Sequence, residues 1–270
     1  MILEASQYTE NAFVTLTYNQ DFLPEGGTLV PRDMQLFIKR HRKQMEPQRF
    51  RYFYVGEYGE TTERPHYHAV LFGHPTCRKG NTYRDRHGSC CVVCDSVRSS
   101  WQRDGSPMGN VYLGGLTAES AAYVAGYVTK KLTNPLDERL EGRHPEFARM
   151  SLRPGIGDGV TDELADRLLF YGTDDLEDVP TQLRHGSRLL PLGRYLRQRT
   201  RLKIGRSKNA PETVIQKRIE ELRPMREAAY SIAPSGSKEW AFKSALIDAG
   251  EGKRSRSINR NRQHWKKRTL

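Results

Sequence analysis

The sequence predicts an α+β fold, and three observations carry that reading. Residues 13–18, Phe-Val-Thr-Leu-Thr-Tyr, alternate and are rich in β-branched and aromatic side chains, the pattern of a strand. From residue 32 to about residue 45 the period changes. Met34, Phe37, Ile38, His41 and Met45 share one helical face, and Lys39, Arg40, Arg42 and Lys43 lie mostly elsewhere. Residues 50–58 and 66–72 then return to a period of two across a short polar turn at 59–64, which favours an antiparallel hairpin because a parallel pair needs a long crossover.

The second strand of that hairpin contains His66-Tyr67-His68. Residues two apart on a strand project from one face, so both imidazoles can converge on a metal ion while Tyr67, Ala69 and Leu71 point into a core. In the partner strand Arg51, Phe53, Val55 and Glu57 share a face. Pairing brings Glu57 beside the histidines as a third ligand; the other reading of Glu57 is a surface carboxylate in a polar hairpin.

Residues 74–95 form an insertion with its own pattern. His74-x-x-Cys77 is followed after 13 residues by Cys91-x-x-Cys94, with Cys90 adjacent. Two such pairs resemble the knuckles that hold a structural Zn²⁺, and Cys90 or His87 could replace one ligand. Four free thiols in a reducing compartment are the alternative.

Val111 to Leu116 reads as a further strand, and a helix begins near Thr117 with an acidic first turn and ends before Asn134-Pro135. Tyr123, Tyr127 and Lys131 recur every four residues on it, with Lys130 beside them. Spacing alone fits an amphipathic core face with a basic end. Residues 145–159 read as a positioned loop, 160–171 as a helix and 212–230 as a charged helix interrupted at Pro224; 189–202 is a basic segment of either type.

Charge is unevenly placed on this +12 chain. Residues 201–270 hold 18 Lys and Arg against 7 Asp and Glu, whereas residues 137–180 hold 5 Arg against 12 acidic residues. Tyr230, Trp240 and Trp265 are interleaved with the basic tail, a composition suited to a polyanion and, with the aromatics, to nucleic acid. No G-x-x-x-x-G-K-[ST] phosphate loop occurs, which argues against an ATPase or helicase. No apolar run reaches membrane-spanning length and no basic-then-apolar leader opens the chain, so a soluble, non-secreted protein is expected.

Taken in order, the strand at 13–18, His66-Tyr67-His68 and Tyr123-Val-Ala-Gly-Tyr127-Val-Thr-Lys130-Lys131 resemble the three motifs of the HUH endonucleases, with Tyr67 as the bulky residue between the histidines. The two tyrosines resemble the two-tyrosine replication initiators of small single-stranded DNA phages. The Microviridae, gokushovirus-type proteins are the nearest likeness, helped by Glu-Phe-Ala-Arg-Met-Ser-Leu-Arg-Pro-Gly-Ile-Gly at 146–157. Relaxases of the same superfamily carry their tyrosine before the histidines; here it follows them.

The resemblance implies a central antiparallel sheet of about five strands flanked by helices. It implies an endonuclease domain at 1–160 and a basic DNA-binding or accessory region at 161–270. It also implies Mg²⁺ or Mn²⁺ on Glu57, His66 and His68, and attack by Tyr123 or Tyr127 with help from Lys130 and Lys131. The product is a 5′-phosphotyrosine link and a 3′-OH primer for rolling-circle replication. Lys39, Arg40 and Arg64 become candidates for phosphate contacts. The implied partners are a single-stranded origin and host helicase and polymerase, in the host bacterial cytoplasm. A non-catalytic single-stranded DNA-binding protein with structural metal sites is the competing reading. A two-histidine-one-carboxylate iron oxygenase would share the ligand types but has no use for the tyrosines. Because phosphate contacts release counterions, DNA affinity of the full chain is expected to fall steeply with salt, and a salt-insensitive binding isotherm would remove the tail from this role.

Overall fold

The computed structural model describes residues 1–59, 62–79, 90–130, 134–173, 176–186, 188–234 and 236–249, without the side chains of 127–130 and 188. His87, Lys131 and the tail beyond residue 249, including Trp265, lie outside them.

The chain divides into two compact units. The first, residues 1–172 and 181–204, is built from α1 (Ile2–Ala5), β1 (Asn11–Thr17), α2 (Pro31–Gln44), β2 (Arg51–Tyr58), β3 (Pro65–Phe72), α3 (Val92–Ser100), the short pair β4 (Gln102–Arg103) and β5 (Ser106–Pro107), β6 (Val111–Gly115), α4 (Ala118–Lys130), β7 (Phe147–Met150), α5 (Val160–Tyr171), the hairpin β8 (Gln182–His185) and β9 (Arg188–Pro191), and α6 (Arg194–Lys203). Five strands form one sheet in the order β6-β1-β3-β2-β7, every neighbour antiparallel.

Alternation in the strands decides which helices cover which face. Ala12, Val14, Leu16, Tyr54, Tyr67, Ala69 and Leu71 project to one side, where Met34, Phe37 and Ile38 of α2, Val93 and Val97 of α3, and Trp101 complete a core. Phe53, Val55, Val70 and Phe72 project to the other, where Val124 of α4 and Met1 and Ala5 at the N-terminus pack on them. Central β3 is therefore apolar on both faces. Tyr67 is fully buried, and its polar tip is satisfied from both sides of one peptide: Val30 N–H donates to its hydroxyl at 2.8 Å, and that hydroxyl donates to Val30 C=O at 3.1 Å. Tyr18 adds a contact at 3.0 Å and itself donates to Asp33 at 2.7 Å.

Gly56 in β2 is a slot. A Cβ there would lie 2.7 Å from the Phe147 ring and 3.1 Å from Leu29, on the face opposite Glu57. Phe147 belongs to β7, within a stretch that the sequence presents as a loop. The four residues Phe-Ala-Arg-Met are too few to show a period, and only pairing with β2, Phe53 opposite Met150, makes them an edge strand.

Other differences have equally local causes. α3 lies partly within the cysteine insertion, with Val93, Val97 and Ser100 buried on one helical face. Segment 189–202 resolves into the end of a hairpin and α6. In the second unit, residues 173–180 and 205 onward, α7 (Glu212–Ile232) runs through Pro224 without a break. Proline removes one helical N–H, but Arg218–Glu221 and Arg223–Glu220 pairs at 2.8 and 2.9 Å lace the turn before it. No helix among the described residues is long and apolar enough to cross a membrane.

His74 is the clearest correction. Gly73, at φ +76°, turns the chain after β3 and sends His74 into the α2 side of the core. Its Nδ1 lies 2.7 Å from Pro75 C=O and its Nε2 2.7 Å from Nε2 of the equally buried His41. Both nitrogens are occupied, so His74 has none to offer a metal. Burial first, and the neighbouring His74 second, push His41 down to about 3; burial pushes His74 down to about 4. Both rings stay neutral where the unfolded chain, near 6.5, takes up protons. Their stabilisation is therefore complete above about pH 6.5 and declines as pH falls towards 4. Denaturant melts should lose about 2 kcal/mol per histidine between about pH 6.5 and 5. A His41→Leu/His74→Leu double variant should lose that dependence, and an unchanged slope would assign it to other groups.

Candidate active site

The β2–β3 register sets the site. Glu57 pairs directly with His66 and Val55 with His68, so the carboxylate and both imidazoles share the α4 face of the sheet. One oxygen, Glu57 Oε1, lies 2.7 Å from His66 Nε2 and 3.0 Å from His68 Nε2. Glu57 is 2% exposed and His68 6%. Burial would raise the Glu57 carboxyl, but the two histidines outweigh it and hold it below its ordinary value.

The outer ring nitrogens are also positioned. His66 Nδ1 donates to Arg64 C=O at 3.0 Å, and His68 Nδ1 meets Thr15 Oγ1 at 2.9 Å. A carbonyl can only accept, so Nδ1 of His66 carries a hydrogen. Its Nε2 then approaches a carboxylate at a distance that needs a proton or a cation between them. Glu57 Oε2 is buried and has no hydrogen-bond partner. One ligand atom from each of Glu57, His66 and His68 lies within 4.8 Å of the others, the spacing of a metal site. Two neutral imidazoles and a carboxylate, with outer nitrogens held by a carbonyl and a hydroxyl, fit a divalent cation.

Helix α4 stands over this face. It begins with a reciprocal cap: Ser120 N–H donates to Thr117 Oγ1 at 3.1 Å, and Thr117 N–H donates to Ser120 Oγ at 2.9 Å. Serine fills the place usually held by glutamate. Val124 anchors the helix in the core, and Tyr123, 47% exposed, sets its ring edge-on to His68 with centroids 5.2 Å apart. Phe13 stacks on the same imidazole at 5.5 Å. Tyr127 and Lys130 lie on the same helix, with side chains outside the described set.

Of the basic candidates, Arg64 adjoins the site and donates to Gln20 Oε1 and Tyr18 C=O, both at 3.2 Å. Lys39 and Arg40 are on α2, the other side of the sheet, so neither joins this site. Arg40 donates to Ser100 C=O at 2.7 Å and ties α2 to α3. Cys77, Cys91 and Cys94 do come together, with Cys90 in the place expected for His74.

Thr15 and Phe13 have no signature in the sequence beyond their place in a strand. Their roles follow from β1–β3 register, which sets Thr15 opposite His68. That register depends on two segments more than fifty residues apart.

Residues 11–132 match the family model for the replication-associated protein ORF2. The chain is 32% identical over 142 residues to replication-associated protein VP4 of Bdellovibrio phage phiMH2K, covering 50% of this chain and 43% of that one. It is 34% identical over 154 residues to replication-associated protein ORF2 of Spiroplasma virus 4, covering 54% and 46%. A shorter match, 33% over 75 residues, is to replication-associated protein ORF4 of Chlamydia phage 1. The chain thus spans less than half the length of the curated relatives it matches. No solved structure matches it. Through residues 11–132, which supply four of the five sheet strands and α4, the chain belongs to the ORF2 family of phage replication-associated proteins.

Proposed function

We propose that this protein initiates rolling-circle replication by nicking single-stranded origin DNA and attaching itself to the cut strand through a tyrosine. The observation that carries the reading is the convergence of Glu57, His66 and His68 on one point beneath Tyr123. Glu57, His66 and His68 would hold Mg²⁺ or Mn²⁺, and two nitrogen donors suit Mn²⁺ better. When bound, the cation polarises the scissile phosphate and offsets charge developing on it.

The remaining chemistry belongs to the chain. Arg64 sits at the edge of the site as a phosphate contact. Tyr123 Oη attacks phosphorus, the bond to the 3′ oxygen breaks, and that oxygen takes up a proton and leaves as a free 3′-OH. The 5′ phosphate remains on tyrosine as a phosphodiester. A phenol ionises near pH 10, so Lys130 and Lys131 are assigned to stabilise the phenolate. Tyr127 is one turn, about 5–6 Å, along α4 and serves the second cleavage when the first tyrosine is still loaded. Attack of a 3′-OH on the phosphotyrosine then rejoins the displaced strand and frees the phenol. Host helicase and polymerase complete the cycle in the bacterial cytoplasm, with the basic region beyond residue 161 adding sequence-independent affinity.

Incubating the full chain with Mn²⁺ and single-stranded origin oligonucleotides should give a covalent adduct on a denaturing gel. The adduct should vanish in Tyr123→Phe/Tyr127→Phe; an adduct that survives there, or none from any origin strand, would sink the tyrosine mechanism. A non-catalytic binding protein gives shifted bands on native gels and none on denaturing ones. Thr15→Val, which removes the hydroxyl behind His68, should weaken Mn²⁺ affinity by about 10–100-fold in calorimetry. An unchanged affinity would show that His68 does not depend on Thr15 for its orientation.

A further inference from the structure

We propose that Cys77, Cys90, Cys91 and Cys94 form a closed four-thiolate site for one Zn²⁺, which fastens the exit of β3 to the start of α3. The inference is independent of the nicking reaction. All four sulfurs lie within 4.8 Å of one another, and Cys77 and Cys90 are 3.6 Å apart. A tetrahedron with Zn–S bonds of about 2.3 Å has edges of nearly that length. All four cysteines are free thiols, so the short contact is not a disulfide.

Local backbone supports the sulfurs as anions. Cys91 is the N-cap of α3 and Cys94 lies in its first turn, where N–H groups point outward. Burial would raise the Cys91 thiol, but backbone N–H groups of Cys94, Arg78 and Val93 directed at its sulfur bring it down to about 6. Cys90 and Cys94 are pushed the other way, Cys90 first by its hydrogen bond with Cys77 and Cys94 first by burial. Without a cation, the cluster must therefore keep protons that crowd its sulfurs. A soft dication takes their place and satisfies all four ligands.

Four protein ligands leave no open position, so this centre shapes the fold and does no hydrolysis. The consequence reaches the core through α3. Val93 and Val97 pack behind the sheet, and Trp101, which follows the helix, is fully buried against Tyr18 and Tyr67 and donates to Thr17 C=O at 2.9 Å. Securing α3 thus supports the strand face behind His66 and His68.

Elemental analysis of the purified full chain should give one Zn²⁺ that a mercurial thiol reagent releases, with four thiols titrated per ion. Zinc lodged on Glu57, His66 and His68 would not respond to that reagent. Co²⁺ in its place should show tetrahedral ligand-field bands and the strong charge-transfer absorption of four thiolates. Cys90→Ser should weaken that absorption to a three-thiolate level, whereas His74→Gln should leave it unchanged. Chelation should shift Trp101 emission to longer wavelength. Absence of thiol-releasable zinc overturns the proposal, as does a Cys77–Cys90 disulfide in mass spectrometry. A full four-thiolate spectrum in Cys90→Ser would overturn the assignment of Cys90. Should Cys90→Ser fail to fold, the ratio of thiols to zinc in the unaltered chain decides alone.

Discussion

The register between β2 and β3 is the constraint on which the rest depends. A strand that slips by one residue turns every side chain to the opposite face. Here that would put Glu57, His66 and His68 into the α2 core and expose Tyr67, Ala69 and Leu71. Tyr67 opposes such a slip. Its hydroxyl is held by both the N–H and the C=O of Val30, with Tyr18 beside it, so moving it would leave several buried polar groups unpaired at once. The residue between the two histidines thus acts as their anchor, through the other side of the sheet.

The two halves of the site are held differently. Its carboxylate and imidazoles stand on the two innermost paired strands, where β1 adds Thr15 and Phe13 against His68. The tyrosines are on α4, which is fixed at its start by the Thr117–Ser120 cap and by Val124 in the core. A rigid sheet suits ligands that must hold one geometry. An exposed helix face suits nucleophiles that must meet a DNA strand from solvent.

Much of this was legible because it is written in short-range periods. His66, His68 and Glu57 follow from a period of two and one tight turn, and α2 and α4 from a period near 3.6. What was not legible depends on distant partners. β7 exists only because β2 offers an edge, and Thr15 matters only because it lies across from His68. His74 and Cys90 exchange roles through the turn at Gly73, which carries His74 to His41. Lys39 and Arg40 had the right charge, but the sheet face that α2 covers puts them away from the histidines. In α3 the signal was present in Val93 and Val97, and the cysteine pattern drew the eye from it.

Gly56 bears on how freely the site can change through descent. The Phe147 ring fills the space that a side chain at residue 56 would need, directly behind Glu57. Even the smallest replacement must move either β7 or the strand that carries the carboxylate. A methyl group at Gly126, on the tyrosine helix, would meet no neighbouring atom within 4 Å. Sequence drift is therefore open on the helix that presents the nucleophiles and closed on the strand that presents the carboxylate. New DNA preferences can arise along α4 while the ligand geometry stays as it is.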